Sequence, residues 1–259
     1  MTDFADLHAG PLPLLLPNAW DVPSALAFAA AGYRAIATTS LGVASSHGVP
    51  DGRSATREAN LRLAASLARL PALISMDCED GYSADPGEAA AYVAELAAMG
   101  VVGVNLEDSA AGHLVEPIAF AAKVAAVKDA APQVFVNARV DTYWFHQEES
   151  VEETLARATG FVQAGADGVF LPGLAEPAAI REITGALTVP VNLLPLPGHS
   201  LGDLAALGVR RVSSGSLPYR AALSAAVEAA AAIGNGSAWP AAVGYGDLQA
   251  ELSAYADGT

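Results

Sequence analysis

Short apolar runs of β type alternate along this chain with longer alanine-rich stretches whose apolar positions recur at helical spacing. Eight such runs predict strands, and each is followed by a segment rich in helix formers. The predicted strands are 14–17, 35–39, 72–76, 103–106, 133–136, 168–171, 189–193 and 211–212. The predicted helices are 23–31, 55–68, 86–99, 117–130, 151–164, 177–184, 202–207 and 218–232.

Strands that alternate with helices favour a parallel sheet. Eight strand–helix units in 259 residues predict a (β/α)8 TIM-type barrel, a fold that takes roughly 250 residues. A doubly wound open sheet is the alternative. We interpret residues 1–259 as one barrel domain, with 239–259 as a C-terminal helical extension. A further helix, from Pro240 to about Tyr255, has no strand to return to, so we expect it to pack outside the barrel or on a neighbouring subunit.

Composition and charge limit the kinds of molecule that this protein can bind. The chain is 53% hydrophobic, so it can bury a large core, and its net charge of −15 argues against nucleic acid or an anionic membrane surface as a partner. Cys78 is the one cysteine, which excludes an intramolecular disulfide and a cysteine-based zinc site. The N-terminus carries no signal-peptide pattern, so we expect a soluble cytoplasmic protein.

Two carboxylates follow the third predicted strand. Asp77 and Glu79 are two residues apart, so in an extended chain they share a face of the strand while Cys78 points the other way. Two carboxylates in one lumen repel each other unless a cation lies between them or one of them is protonated. Their hard oxygen atoms suit Mg²⁺, and Mn²⁺ is possible. A solvated acidic turn is the alternative, and we expect Cys78 to be a buried, inert thiol.

The next two strands end in further polar residues. Glu107 shares a face with Asn105 after strand four, and Asn137, Arg139 and Asp141 share a face after strand five. An arginine at this position can hold a substrate carboxylate with its bidentate guanidinium. A buried ion pair that closes the end of the barrel is the alternative, and both can hold.

Three other segments add weaker candidates. Ser40, Leu41 and Gly42 offer a hydroxyl and backbone N–H groups to an anion, although a plain tight turn explains them as well. Asn192 ends strand seven and is a further lumenal candidate. His113, in the loop after Glu107, can donate a proton, but a lone loop histidine is more often only solvated.

Five blocks of sequence occur at these strand ends in a fixed order. They are Asn18-Ala19-Trp20-Asp21, Asp77-Cys78-Glu79-Asp80-Gly81-Tyr82, Leu106-Glu107-Asp108-Ser109, Asn137-Ala138-Arg139-Val140-Asp141-Thr142 and Ala164-Gly165-Ala166-Asp167-Gly168-Val169-Phe170. This order resembles the isocitrate lyase / phosphoenolpyruvate mutase superfamily. The similarity extends from about Pro17 to Arg220.

The resemblance implies a (β/α)8 barrel whose last helix is exchanged between subunits of a homotetramer, a dimer of dimers. It implies Mg²⁺ at Asp77, small 2-oxo or 2-hydroxy acids as substrates, and a metal-bound enolate as the shared intermediate. The expected metal residues are Asp77, Glu79 and Glu107, the last two acting largely through water. The expected substrate-binding residues are Ser40, Leu41, Gly42, Asp51, Asn137, Arg139 and Asn192, and the expected catalytic residues are Arg139, Glu107 and His113.

One loop departs from the family pattern. Isocitrate and methylisocitrate lyases carry Lys-x-Cys-Gly-His after the fourth strand, whereas this chain reads Ser109-Ala110-Ala111-Gly112-His113. The cysteine that serves as the acid in isocitrate cleavage is missing. The lysine with asparagine or threonine that phosphonopyruvate enzymes use is missing too.

We therefore expect a Mg²⁺-dependent lyase that cleaves a C–C bond of a small 2-oxo or 2-hydroxy dicarboxylate, oxaloacetate decarboxylation being the simplest case. The alternatives are P–C bond chemistry on phosphonopyruvate or phosphoenolpyruvate, as a mutase or hydrolase, and a non-catalytic protein that binds 2-oxoacids.

Overall fold

The computed structural model describes residues 4–258, in which helices surround a parallel sheet. The strands are β1 (Leu14–Leu16), β2 (Asn18–Ala19), β3 (Ala35–Thr38), β4 (Leu73–Asp77), β5 (Gly103–Glu107), β6 (Ser109–Ala110), β7 (His113–Leu114), β8 (Phe135–Arg139), β9 (Gly168–Phe170), β10 (Val191–Leu193) and β11 (Arg211–Ser213). The helices are α1 (Val22–Ala30), α2 (Ser40–Ser46), α3 (Arg57–Leu67), α4 (Pro86–Ala98), α5 (Pro117–Ala130), α6 (Thr142–Phe145), α7 (Val151–Gln163), α8 (Pro177–Ala186), α9 (Leu201–Ala206), α10 (Leu217–Asn235) and α11 (Tyr245–Asp257). A short 3₁₀ helix, Ala5–Ala9, precedes β1.

The sheet closes on itself at Pro17. Its strand order is β1-β11-β10-β9-β8-β5-β4-β3-β2, and all of these pairs are parallel. The two strands at the ends of that order, β1 and β2, are consecutive pieces of one extended segment, which Pro17 interrupts because it has no N–H to donate. This segment therefore acts as one strand that joins β11 to β3. The predicted (β/α)8 barrel is confirmed.

Capping side chains and prolines determine where several helices begin. Asp21 and Ser24 form a capping box at α1, and the Asp85 and Ser150 side chains accept N3 backbone N–H groups at α4 and α7. A proline occupies the first turn of several helices, as the sequence predicts. Each strand–helix unit is thus delimited by its own sequence.

Five local features differ from the predicted elements. Helix α2 starts at Ser40, where a tight turn was one prediction, and the loop after β5 forms a small antiparallel hairpin, β6–β7. Helix α6 follows β8 directly, and β8 itself runs to Arg139 rather than ending at residue 136. The last helix begins after Gly244, not at Pro240, because the chain leaves α10 through the left-handed Gly236 and stays non-helical until Gly244.

Alternation along the strands separates an outer core from the lumen. Residues such as Ile74, Met76 and Val104 point outward and pack under the helices, and Cys78 is buried in the same cluster, as predicted. The lower lumen holds a second apolar cluster: Phe4, Leu16, Ala35, Ala37 and Phe135. His8 stacks on Phe135 with ring centroids 4.7 Å apart. The N-terminal segment therefore fills the end of the barrel that lies opposite the carboxyl ends of the strands.

The C-terminal segment has two different surfaces. Helix α11 packs on α3 of its own chain, where Arg69 lies 4.4 Å from the centroid of the Tyr255 ring and the Tyr255 hydroxyl donates to Ser66 O. Helix α10, in contrast, leaves large apolar side chains exposed, among them Leu223 at 53% and Val227 at 70%. Across residues 4–258, the helices lack the combination of length and apolar character needed to cross a bilayer.

Replacing Phe120 by alanine should destabilise the barrel. Phe120 is fully buried on α5 and packs edge-on against Phe161 of α7 with ring centroids 4.6 Å apart. Removal of a buried phenyl ring typically costs about 3–5 kcal/mol, through lost transfer energy and the cavity left behind. Urea unfolding measures this change. Ile118→Ala on the same helix is the matched control, because Ile118 is 81% exposed, and an equal loss in both variants would contradict the assignment of the core.

Candidate active site

Three charged side chains meet at the carboxyl ends of neighbouring strands. Asp77 ends β4, Glu107 ends β5 and Arg139 ends β8, all at lumenal positions. In the strand register Asp77 pairs with Asn105 and Glu107 pairs with Arg139. The sequence-predicted metal residue, acid and arginine are therefore brought to one rim of the barrel.

Four side chains surround the Arg139 guanidinium. Its Nη1 lies 2.9 Å from Glu107 Oε2 and its Nε lies 2.6 Å from Asp141 Oδ1. The guanidinium also stands 5.6 Å from the centroid of the Trp144 ring and 5.8 Å from that of Phe170. Burial lowers the pKa of Arg139, but Glu107 and Asp141 outweigh it and raise the pKa above its usual value. The arginine is a fixed positive charge in the cleft.

Behind Arg139 lies a buried network that the sequence did not predict. Asp141 accepts from Arg139 through one oxygen and from the Ser109 hydroxyl, at 2.5 Å, through the other. The Asp141 N–H donates to Asp108 Oδ1, and Asp108 Oδ2 accepts from Arg157 Nη1 at 3.2 Å. Asp108 and Asp141 are fully buried, so this chain of contacts sets the direction of the Arg139 side chain.

Asp77 is tied to the start of α2. The Ser40 backbone N–H donates to Asp77 Oδ2 at 3.1 Å, and the Asp77 N–H donates to Thr38 Oγ1. Gly42 supports this contact sterically, because a Cβ there would lie 2.8 Å from both Trp20 and Thr39 side-chain atoms. The lack of a side chain at Gly42 lets the first turn of α2 approach the barrel closely.

Glu79 occupies a different position from the one that strand alternation predicts. The strand ends at Asp77, and Glu79 has a left-handed backbone with φ 47°. Its carboxylate accepts from the Ser54 N–H at 2.8 Å and from the Thr56 hydroxyl at 2.7 Å. The expectation of two carboxylates side by side on one strand face is thus wrong. Glu79 anchors the loop that follows Asp51.

The hairpin after β5 carries His113 on its surface. Ala110 pairs with His113 across the hairpin, and Gln147 holds its tip by accepting from the Leu114 N–H and donating to Gly112 O. Ala111 and Gly112 line the cleft, whereas His113 is exposed and is not among the lining residues.

The cleft consists of two adjoining cavities of about 270 and 320 Å³. Both are lined by Ser40, Asp51, Arg139 and Trp144. The first adds Glu107 and the hairpin tip, and the second adds Asp77 and Asn105. Phe170, the register partner of Arg139, also lines the second cavity. Phe170 lies two residues after Gly168 on the same strand face, and this alternation could have identified it as a lumenal residue. Trp144 gave no such signal in the sequence.

Two predicted substrate residues lie beneath the cleft. Asn137 is buried and donates through Nδ2 to Asn105 Oδ1 at 2.9 Å. Asn192 is fully buried; its Nδ2 donates to Ser213 Oγ, and its Oδ1 accepts from the Ser213 N–H. Neither lines the cavities, so both act on the cleft through Asn105 and Ser213, which do.

The acidic rim favours a cation. The pKa of Asp51, of Glu79 and of Glu107 is raised, in each case first by burial and further by the charge of Asp77. The described residues, 4–258, contain no group of three or more His, Cys, Asp or Glu side chains arranged to hold a metal ion directly. Three carboxylates, those of Asp51, Asp77 and Glu107, line the cleft. Such a set fits Mg²⁺, which keeps several waters and needs only one or two protein carboxylates as direct ligands.

Comparison with proteins of known sequence gives close and distant relatives. An uncharacterized protein of Mycobacterium tuberculosis (strain ATCC 25618 / H37Rv) is 52% identical over 256 residues, covering 99% of this chain and 98% of that protein. A 2-methylisocitrate lyase of Bacillus subtilis (strain 168) is 30% identical over 200 residues, covering 73% of this chain and 64% of the lyase. An oxaloacetate decarboxylase of Bradyrhizobium (strain BTAi1 / ATCC BAA-1182) is 30% identical over 190 residues, covering 69% and 64%. The chain thus spans less than two thirds of these two enzymes.

Among solved structures, a phosphonopyruvate hydrolase in complex with oxalate and Mg²⁺ superposes with a TM-score of 0.83 at 22% identity, covering 96% of this chain and 94% of that one. This similarity supports the fold. The family model for phosphoenolpyruvate phosphomutase matches residues 4–234. The resemblance read from the five sequence blocks is confirmed: the chain belongs to the phosphoenolpyruvate phosphomutase family, a family of lyases and mutases.

Proposed function

We propose that this protein is a Mg²⁺-dependent lyase that cleaves a C–C bond of a small 2-oxo or 2-hydroxy dicarboxylate, with oxaloacetate decarboxylation as the simplest case. The observation that carries the proposal is the juxtaposition of Asp77, Glu107 and the fixed Arg139 at the mouth of one cleft. The carboxylates would hold the metal ion, and the arginine would hold the negative charge of a dianion that chelates it. The family relationship to an oxaloacetate decarboxylase and a 2-methylisocitrate lyase supports the same class of reaction.

Asp77 would hold the ion directly, with Glu79 and Glu107 acting through water. Mg²⁺, when bound there, would supply Lewis-acid polarisation of the substrate 2-oxo group. Mn²⁺ would suit the same hard oxygen donors. The phosphonopyruvate hydrolase that shares this fold holds Mg²⁺ and oxalate, a small diacid, which supports the proposal.

Arg139 would bind the anionic end of the substrate and face the oxygen on which negative charge develops as the bond breaks. Its ties to Glu107 and Asp141 hold it before substrate arrives, so little reorganisation accompanies the reaction. Trp144 and Phe170 shield the guanidinium from water and thereby strengthen its attraction for an anion. Ser40 and Leu41, which line the cleft, and Asp51 would contact the substrate from the opposite side.

The hairpin favours decarboxylation over isocitrate-type cleavage. The hairpin tip, Ala111-Gly112, places no acidic side chain in the cleft, and His113 is exposed on the hairpin. Loss of CO₂ needs no proton donor in advance, because the bonding electron pair stays with the 2-oxo product and is protonated afterwards. Water, or His113 after a movement of the hairpin, would return that proton.

A second candidate is P–C bond chemistry on phosphonopyruvate or phosphoenolpyruvate. The match to the phosphoenolpyruvate phosphomutase family model favours it. The hairpin carries no lysine, asparagine or threonine, the residues that phosphonopyruvate enzymes use for the phosphoryl group. We rank it second for that reason. A protein that binds 2-oxoacids without turnover is the non-catalytic alternative.

We also propose that the chain assembles into a homo-oligomer, a dimer of dimers, through the exposed apolar surface of α10 and the segment after it. This surface is formed by Leu217, Leu223, Val227, Ile233, Trp239, Val243 and Tyr245, each at least half exposed. Exposed apolar side chains in this number favour an interaction site on this part of the chain.

Asp77→Asn should abolish Mg²⁺-dependent turnover of oxaloacetate while the fold persists, because the amide oxygen can still accept from the Ser40 N–H. We expect the affinity for Mg²⁺, measured by calorimetry with oxalate present, to fall by at least about 100-fold. Loss of a residue that only supports a metal ligand already costs up to about 100-fold, and Asp77 is proposed as a direct ligand. Asp167→Asn is the control, since that carboxylate pairs with Lys128 at the opposite end of the barrel. Unchanged metal binding in Asp77→Asn would defeat the assignment.

The protein should prefer oxaloacetate to isocitrate and methylisocitrate by at least about 100-fold in kcat/KM, since a positioned proton donor is worth roughly 10²–10⁴-fold and this hairpin lacks the cysteine. Parallel steady-state kinetics at saturating Mg²⁺ measure the ratio. If isocitrate or methylisocitrate proves the better substrate, His113→Ala decides the cause. Collapse of cleavage in that variant would identify His113 as the acid.

Val227→Glu should dissociate the oligomer, because it places a charge in the proposed apolar interface on α10. Light scattering measures the mass of the full-length chain and of the variant. Ile118→Glu is the matched control, as Ile118 is also largely exposed but lies on α5. A monomeric unmodified chain would refute the proposed assembly.

A further inference from the structure

The lumen beneath the cleft contains a positive charge without a partner carboxylate. Arg211, on β11, is 1% exposed, and within residues 4–258 it forms no ion pair. Its Nε donates to Ser213 Oγ at 3.1 Å and its Nη2 donates to Asn105 Oδ1 at 3.2 Å, while Nη1 is buried without a hydrogen bond. Burial lowers the pKa of Arg211 to about 9, so the guanidinium stays charged at neutral pH.

This charge is costly to the fold. A buried ion without a counter-ion costs several kcal/mol of stability, and apolar replacements of buried ions are often neutral or stabilising. Below it, the pKa of His8 is lowered to about 4, first by burial and then by the charge of Arg211, so His8 is neutral and offers no compensation. Asp77, above it, is a charged group with which it interacts favourably. The guanidinium therefore serves the cleft rather than the stability of the barrel.

Arg211 also fixes the orientation of an amide in the cleft. Asn105 Oδ1 accepts from both Arg211 Nη2 and Asn137 Nδ2. A guanidinium can only donate, so the Asn105 atom that faces it must be the oxygen, and the Nδ2 group must lie on the other side. Asn105 lines the larger cavity and pairs in register with Asp77. Its N–H donors are thus left for a molecule in the cleft.

We propose that Asn105 Nδ2, above the unpaired guanidinium of Arg211, forms an oxyanion-binding subsite at the floor of the cleft, and that Arg211 is the positioning residue that holds Asn105 as a donor. The ligand oxygen is a carboxylate or developing enolate oxygen of the diacid, so the inference rests on the proposed function. The electrostatic contribution of Arg211 and the hydrogen bond of Asn105 act on the same oxygen. A protein acceptor in place of Asn105 Nδ2 would repel that oxygen.

Calorimetric titration of the full-length protein with oxalate at saturating Mg²⁺ tests the subsite, together with thermal unfolding. Asn105→Asp keeps the oxygen that Arg211 contacts and gives the guanidinium a carboxylate partner, so Tm should hold or rise. The same change replaces the donor in the cleft with a negative oxygen. We expect oxalate affinity to fall by at least about tenfold, the scale of one hydrogen bond to a charged group.

Arg211→Met removes the charge and the orientation of Asn105 at once. Oxalate affinity should fall by about tenfold or more, while Tm stays unchanged or rises because an unpaired buried ion is lost. Ser75→Ala is the matched control: Ser75 is also lumenal and 1% exposed, its hydroxyl has no partner, and it does not line the cleft. This control should bind oxalate like the unmodified protein. A purely structural arginine would instead lower Tm and leave affinity intact.

The outcomes separate the two proposals. If the unmodified protein binds oxalate with Mg²⁺ and Asn105→Asp binds it equally well, the floor subsite is refuted and the proposed function survives. If the unmodified protein binds no oxalate in the presence of Mg²⁺, the proposed function itself fails. If Arg211→Met does not fold, Arg211 stabilises the barrel and its positioning role is refuted. The comparison of Asn105→Asp with Ser75→Ala then decides whether the Asn105 subsite exists.

Discussion

The alternation of side chains along parallel strands in a closed barrel is the constraint on which this molecule depends. One face of each strand must pack under the helices, and residues such as Ile74, Met76 and Val104 meet that requirement. The other face then points into a lumen that side chains fill. Apolar residues fill its lower part around Phe135, amides and Arg211 occupy the middle, and Asp77 and Arg139 lie at the rim, where they line the cleft.

This arrangement explains why the charged groups at the rim are stabilised by neighbouring charged and polar side chains. A guanidinium at the rim is nearly surrounded by protein, so Arg139 is stable there because Glu107 and Asp141 neutralise it. Asp141 in turn is fully buried and takes its direction from Ser109 and Asp108. The direction of Arg139 in the cleft is therefore set by residues that do not line its cavities.

Much of this architecture follows from the sequence. The apolar runs predict the strands, proline and glycine predict the helix limits, and the order of polar residues at strand ends predicts that Asp77, Glu107 and Arg139 meet. Predictions failed where they extended a regular pattern past the end of its element. Glu79 was placed beside Asp77 by continuing β4 two residues too far, whereas the backbone there turns into the left-handed region. The first turn of α2 at Ser40 and the hairpin that carries His113 depend on long-range contacts with Asp77 and Gln147.

Arg211 illustrates the limit of local patterns most clearly. In the sequence it is one of two adjacent arginines before a serine-rich turn, and nothing local distinguishes it from its exposed neighbour Arg210. The strand register alone decides which of the two enters the lumen, and Asn105, the group it orients, lies 106 residues away in the chain. A one-residue slip would turn Arg211 toward the helices and place Arg210 in the lumen instead. The chemistry available at the floor of the cleft is therefore set by the closure of the barrel, since closure fixes the register of β11 between β10 and β1.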